Sequence, residues 1–223
     1  MNTSQIEVVK QTTAYVKEQL TGAEAGHDWH HIQRVLNNAE AILAEEPANQ
    51  FAVTLACLLH DIADAKFHDG DEELGPKRTQ SFLKQFDLEK EVIDEVVYIV
   101  KHISFKSETL PLVEKSKVFQ IVQDADRLDA LGAIGIARTF NYGGYKNRPL
   151  YDAEIPPKTK QTKAEYKKSN APTINHFYEK LLSLKDRMNT QTGKKLAQQR
   201  HEFMLQFLDQ FFEECGKPDW VEQ

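Results

Sequence analysis

Three short stretches of this chain concentrate histidine and aspartate. The first reads Gly26-His27-Asp28-Trp29-His30-His31-Ile32-Gln33-Arg34. The second is the doublet His60-Asp61, with Asp64 one helical turn later. The third reads Gln123-Asp124-Ala125-Asp126-Arg127-Leu128-Asp129 and runs on into the small residues Ala130, Gly132, Ala133 and Gly135. Imidazole nitrogen and carboxylate oxygen together suit a divalent ion such as manganese, iron, cobalt or zinc. The doublet is the sharpest of the three signals. It closes the most apolar segment of the chain, and ionisable groups at such a place must pair, cap or bind metal. Asp64 can share a helix face with His60 and Asp61. In the first stretch, His27 and His31 lie one turn apart, as do His30 and Arg34, and Asp28 is a natural N-cap.

The elements that must position these residues are helices. Apolar residues recur with a helical period over 6–20, 32–43, 79–86, 89–102, 116–138, 173–188 and 193–215, and residues 52–63 are apolar on nearly every side. No run alternates with the period of a strand. The expected fold is all-α: one domain over 1–223, with a metal-site core over about 20–145 and C-terminal helices over about 173–216. Two stretches, 67–77 and 141–172, carry the glycines and prolines of loops. The second holds Lys146, Arg148, Lys158, Lys160, Lys163, Lys167 and Lys168 against Asp152, Glu154 and Glu165. That makes it +4 in a chain of net charge −6, so the remainder is near −10. A basic flap on an acidic body suits an anionic ligand; the alternative is a solvated loop. His102, at the end of a helix, can simply favour the dipole there.

Composition narrows the classes. The chain has 223 residues, 40% of them hydrophobic and 28% charged, which suits a globular core and excludes a disordered chain. No apolar run is long enough to cross a bilayer, and no secretory leader is expected. Cys57 and Cys215 are far apart and read as buried thiols of a reducing, cytoplasmic setting. The acidic balance argues against a nucleic-acid polymer as partner. Three superficial motifs fail. Pro76 and the acidic run 71–73 break a phosphate-binding loop, Asp28 stands where a zincin needs glutamate, and Asp69-Gly70-Asp71 lacks the rest of a calcium loop.

The order His, then His-Asp, then Asp resembles the HD-domain metal-dependent phosphohydrolase superfamily. The matching segments are His31-Ile32-Gln33-Arg34-Val35, Leu58-Leu59-His60-Asp61-Ile62 and Asp124-Ala125-Asp126-Arg127-Leu128. The stretches His27-Asp28-Trp29 and Asp126-Arg127-Leu128-Asp129-Ala130-Leu131-Gly132-Ala133-Ile134-Gly135 look like a subgroup of small stand-alone bacterial HD hydrolases. Some of its members convert deoxynucleoside triphosphates to monophosphate and pyrophosphate. The resemblance implies His31, His60, Asp61 and Asp126 as ligands of one divalent ion: manganese is favoured over cobalt, magnesium, iron, nickel or zinc. His31 stands three residues before Arg34, as in the family motif, and Asp126 directly precedes Arg-Leu. Asp64 and Ala65 depart from the Glu-Asp pair of the (p)ppGpp-hydrolysing branch. A second metal would need more histidines than His102 alone.

The implied enzyme acts on a nucleotide or another small phosphorylated compound; a nucleotide-binding regulator is the competing class. Asp64 is the first candidate to orient or deprotonate the attacking water, with Glu72 or Glu73 behind it. His30, Arg34, His102, Arg127, Arg138, Lys146 and Arg148 are the candidates for substrate contact, because a phosphate leaving group needs cations around it. His27 and Asp129 are expected to orient ligands or an arginine. The stripe Phe203, Met204, Phe207, Leu208, Phe211 and Phe212 is expected to be core or a homodimer face.

Overall fold

A computed structural model describes residues 1–21, 28–63, 71, 73–103, 115–158 and 170–221. Among them it holds nine α-helices and no strand. They are α1 (Thr3–Gln19), α2 (Trp29–Leu43), α3 (Gln50–Leu59), α4 (Leu74–Leu83), α5 (Lys90–His102), α6 (Lys117–Leu128), α7 (Gly132–Tyr145), α8 (Asn175–Glu179) and α9 (Gln191–Cys215), with 3-10 turns at Leu181–Arg187 and Asp219–Val221. The all-α expectation holds. The chain falls into two compact units, Met1–Asp126 and Arg127–Gln223, and the boundary lies inside α6.

In the first unit, α3 is the central helix. Phe51, Ala52, Val53 and Leu55 through Leu59 are all buried, so it has no polar face, and α1, α2 and α5 pack on it. Its N-terminus is capped by the Asn49 side chain, which accepts from the Ala52 amide at 3.2 Å. Helix α2 starts at the expected cap: the Asp28 carboxylate accepts from the His31 amide at 2.9 Å. Its buried stripe is His31, Ile32, Val35, Asn38, Ala39 and Ile42. Helix α4 begins at Leu74, so Gly75 and Pro76 lie in a first turn and not in the expected loop. A proline is tolerated there because the amide it lacks would have had no helical partner.

In the second unit the single helix expected over 116–138 breaks. Leu131 is extended and Gly132 adopts φ 69, a conformation that glycine reaches without strain. Gly135 then lets α7 pass close to the preceding turn, since a Cβ there would lie 2.3 Å from the Ala130 carbonyl oxygen. Helix α7 runs on to Tyr145, so the first five residues of the expected loop 141–172 are helical. The helix expected over 173–188 is instead the short α8 and a 3-10 turn. The aromatic stripe of α9 is mostly core. Met204, Leu208 and Phe212 are buried, Phe207 lies 5.8 Å from Phe177 and 5.9 Å from Phe140, and Phe203 stays exposed. Cys215 is exposed, against expectation, while Cys57 is buried, and both are free thiols.

Candidate metal centre

The first unit brings together one residue from each of the three clusters. His31 Nε2 and His60 Nε2 stand 3.2 Å apart. Asp126 Oδ1 lies 3.5 Å from the first and 3.8 Å from the second. Each residue offers one donor atom, and these atoms all fall within 4.8 Å of one another. The imidazoles are buried, while the Asp126 side chain is 35% exposed and gives the group its opening to solvent.

Each of the three side chains is placed by its own element. His31 sits in the first turn of α2, its amide held by the Asp28 cap. His60 is the C-cap of α3, and its Nδ1–H donates to the Cys57 carbonyl at 2.8 Å. A carbonyl can only accept, so the proton belongs on Nδ1 and the Nε2 lone pair points toward His31 and Asp126. That is the tautomer a metal-ligating histidine needs. Asp126 sits in the last turn of α6. One turn further along α2 from Arg34, Asn38 donates its Nδ2–H to the Ala125 carbonyl at 2.9 Å. Two imidazole lone pairs and a carboxylate, drawn from three elements onto one point, fit a divalent cation by donor chemistry.

The other expected site residues of this unit are placed as follows. Asp61 follows His60 in the turn, half-buried, and is not one of the three clustered donors. Asp124 is fully buried and also outside the cluster. His30 is exposed, with Nδ1 3.2 Å from Gln33 Oε1; Arg34 is half-buried one turn further on. Glu73 is exposed and ion-paired to Lys101 at 2.7 Å, which holds its carboxyl below the usual range. His102 ends α5, its ring 4.5 Å from Tyr98; burial, then Lys101, lowers its pKa. His27, Asp64 and Glu72 lie outside the described residues.

In the second unit, Asp129 and Arg138, singled out separately in the sequence, are partners. The buried Asp129 carboxylate accepts from the Arg138 guanidinium, which also donates to the Asp129 carbonyl. Arg127 is buried and donates to the Arg187 carbonyl; burial and Arg187 push its pKa down to about 10. Lys146 and Arg148 are placed against aromatic rings. Lys146 Nζ lies 4.6 Å from the Tyr145 ring, and the Arg148 guanidinium 5.8 Å from that of Tyr142. Lys160, Lys163, Lys167 and Lys168 fall outside the described residues.

The model of the HD domain matches residues 28–131, which span all three donors. YpgQ of Bacillus subtilis (strain 168) is 39% identical over 207 residues, 92% of this chain and 93% of that one. The crystal structure of an HD-superfamily hydrolase from Bacillus thuringiensis is 41% identical, covers 96% of this chain and 100% of that one, and superposes with a TM-score of 0.76. The chain belongs to the HD-domain phosphohydrolase superfamily. Metal-dependent phosphohydrolysis is the activity that goes with this membership. A structure of YpgQ in complex with ADP is 36% identical, covers 97% of this chain and 99% of that one, and has a TM-score of 0.76. No described helix of this HD protein is long and apolar enough to cross a membrane.

Proposed function

We propose that this HD protein hydrolyses nucleoside triphosphates, deoxynucleotides foremost, to monophosphate and pyrophosphate. The convergence of His31, His60 and Asp126 on one point carries the reading. The nucleotide part is supported by the ADP complex of YpgQ and by the resemblance to the small bacterial hydrolases. Asp61 is proposed as the fourth ligand on the resemblance alone, and manganese as the preferred ion. When bound, a divalent cation supplies Lewis-acid polarisation of a phosphoryl group and a water that ionises near neutral pH.

The remaining roles fall to this chain's own groups. Water adds to the phosphorus, the phosphoanhydride bond breaks, and pyrophosphate leaves with the bonding pair. Asp64 is the proposed base that orients that water and takes its proton. Glu73 is the lesser candidate, since it is engaged by Lys101. Arg34 and His30, on the helix that presents His31, are proposed to bind phosphate oxygens. Arg127, Arg138, Lys146 and Arg148 are proposed as further contacts on their charge, His102 as a neutral hydrogen-bonding contact, and His27 as an orienting residue. Asp129 is proposed to act through Arg138, whose guanidinium it holds.

The test is phosphate and pyrophosphate release by metal-stripped protein, reloaded with manganese, cobalt, magnesium or zinc. The panel holds the four deoxynucleoside triphosphates, the ribonucleotides, ppGpp and an aryl phosphate. Pyrophosphate release that is lost in Asp61→Ala is the expected result, and Asp64→Asn should keep the metal while losing most of the turnover. Orthophosphate release from a different compound would replace the substrate. Silence with metal still bound would favour a nucleotide-binding regulator.

A further inference from the structure

We infer that Asn38 is a positioning residue for the metal centre: by holding the backbone of α6 immediately before Asp126, it aims that carboxylate at His31 and His60. The inference rests on the reading of these three residues as a metal site. Asn38 is 7% exposed and lies two turns after His31 in the buried stripe of α2. Two turns bring a helical residue back to nearly the same face, roughly 10 Å further along the axis. Helix α2 therefore meets the end of α6 at two places. His31 Nε2 approaches the Asp126 carboxylate at 3.5 Å, and Asn38 Nδ2 donates to the Ala125 carbonyl at 2.9 Å.

The second contact goes to a main-chain carbonyl in the last turn of α6, which ends at Leu128. The Asn38 amide side chain ties α2 to α6 there. Burial of Phe119, Ile121, Val122 and Ala125 seats α6, and the Asn38 hydrogen bond adds a directional restraint on the backbone next to Asp126, and so on the direction of its Cα–Cβ bond. The fixing matters most for this ligand. His31 and His60 are buried and packed, and His60 is held through Nδ1. The Asp126 carboxylate is the exposed member of the three, so its orientation depends on its backbone.

The experiment measures metal binding directly. Cobalt(II) is titrated into metal-free wild type, Asn38→Ala, Asn38→Asp and Asp126→Ala, following calorimetry and the visible absorption of the bound ion. Thr12→Ala, a buried change on α1, serves as a control for lost stability. Partners that orient metal ligands are typically worth 10–100-fold in affinity. The expected result is a loss of about tenfold or more in Asn38→Ala, with an altered cobalt spectrum, while Thr12→Ala keeps wild-type affinity at a comparable melting temperature. Asn38→Asp removes the donor at constant size and should show the same loss, so the inference stays testable if the alanine variant does not fold. Wild-type affinity and spectrum in both Asn38 variants, with binding lost in Asp126→Ala, would overturn the inference and leave the metal site standing. Undiminished binding in Asp126→Ala would overturn both.

Discussion

His60 does two jobs with two nitrogens. Nδ1–H closes onto the Cys57 carbonyl, and Nε2 is thereby left with its lone pair toward His31 and Asp126. Protons and metal compete for the same imidazole lone pairs, so metal affinity weakens in acid. A different histidine reports on stability instead. Burial first, then Lys180 and Arg148, push His176 down from 6.5 to about 3. The unfolded chain takes up this proton near 6.5 and the folded chain does not. The stability that neutral His176 contributes is therefore complete above pH 6.5 and is lost as the pH falls toward 3. The melting temperature of His176→Gln should fall less steeply than that of wild type between roughly pH 7 and pH 4. Parallel slopes would show that other groups dominate the acid limb.

At the scale of elements, each donor comes from the end of a helix, and at His31 and His60 local capping bonds set the side chain's exit. The Asp28 cap holds the His31 amide and with it the first turn of α2. Removing such a cap costs about 1 kcal/mol. Asp28→Ala should lower the stability to denaturant by that amount and loosen metal binding by less than Asp126→Ala does. Calorimetry on the pair of variants checks the order. The break between α6 and α7 follows the same logic in the second unit. There the chain must turn at Gly132, and Gly135 must pass the Ala130 carbonyl. Periodicity alone reads 116–138 as one helix, because the apolar spacing continues across the break.

For the whole molecule, the three donors span His31 to Asp126, 96 of the 126 residues of the first unit. A cation bound only by the folded chain stabilises it by about 2.7 kcal/mol at a hundredfold excess over its dissociation constant. Adding manganese to metal-stripped protein should raise the melting temperature, and chelation should lower it again. The helical circular-dichroism signal should survive chelation, because α3 and its neighbours are held by apolar packing and not by the site. Collapse of that signal on chelation would make the metal part of the fold.

The kinds of candidate donor, their order and the all-α class were legible in the sequence, because they are local. A His-Asp doublet that ends a helix with no polar face stands out without any knowledge of its neighbours. Nothing in the sequence marks Asn38 as part of the buried stripe of α2. The resemblance already pointed to His31 and Asp126; the tertiary structure adds that, among the described residues, their donor atoms converge with that of His60. It also paired Asp129 with Arg138 and set Asn38 on the Ala125 carbonyl. These are contacts between residues distant in sequence or across a turn that periodicity does not resolve. Side-chain spacing along one helix describes which face a residue occupies; what that face meets depends on how the helices pack.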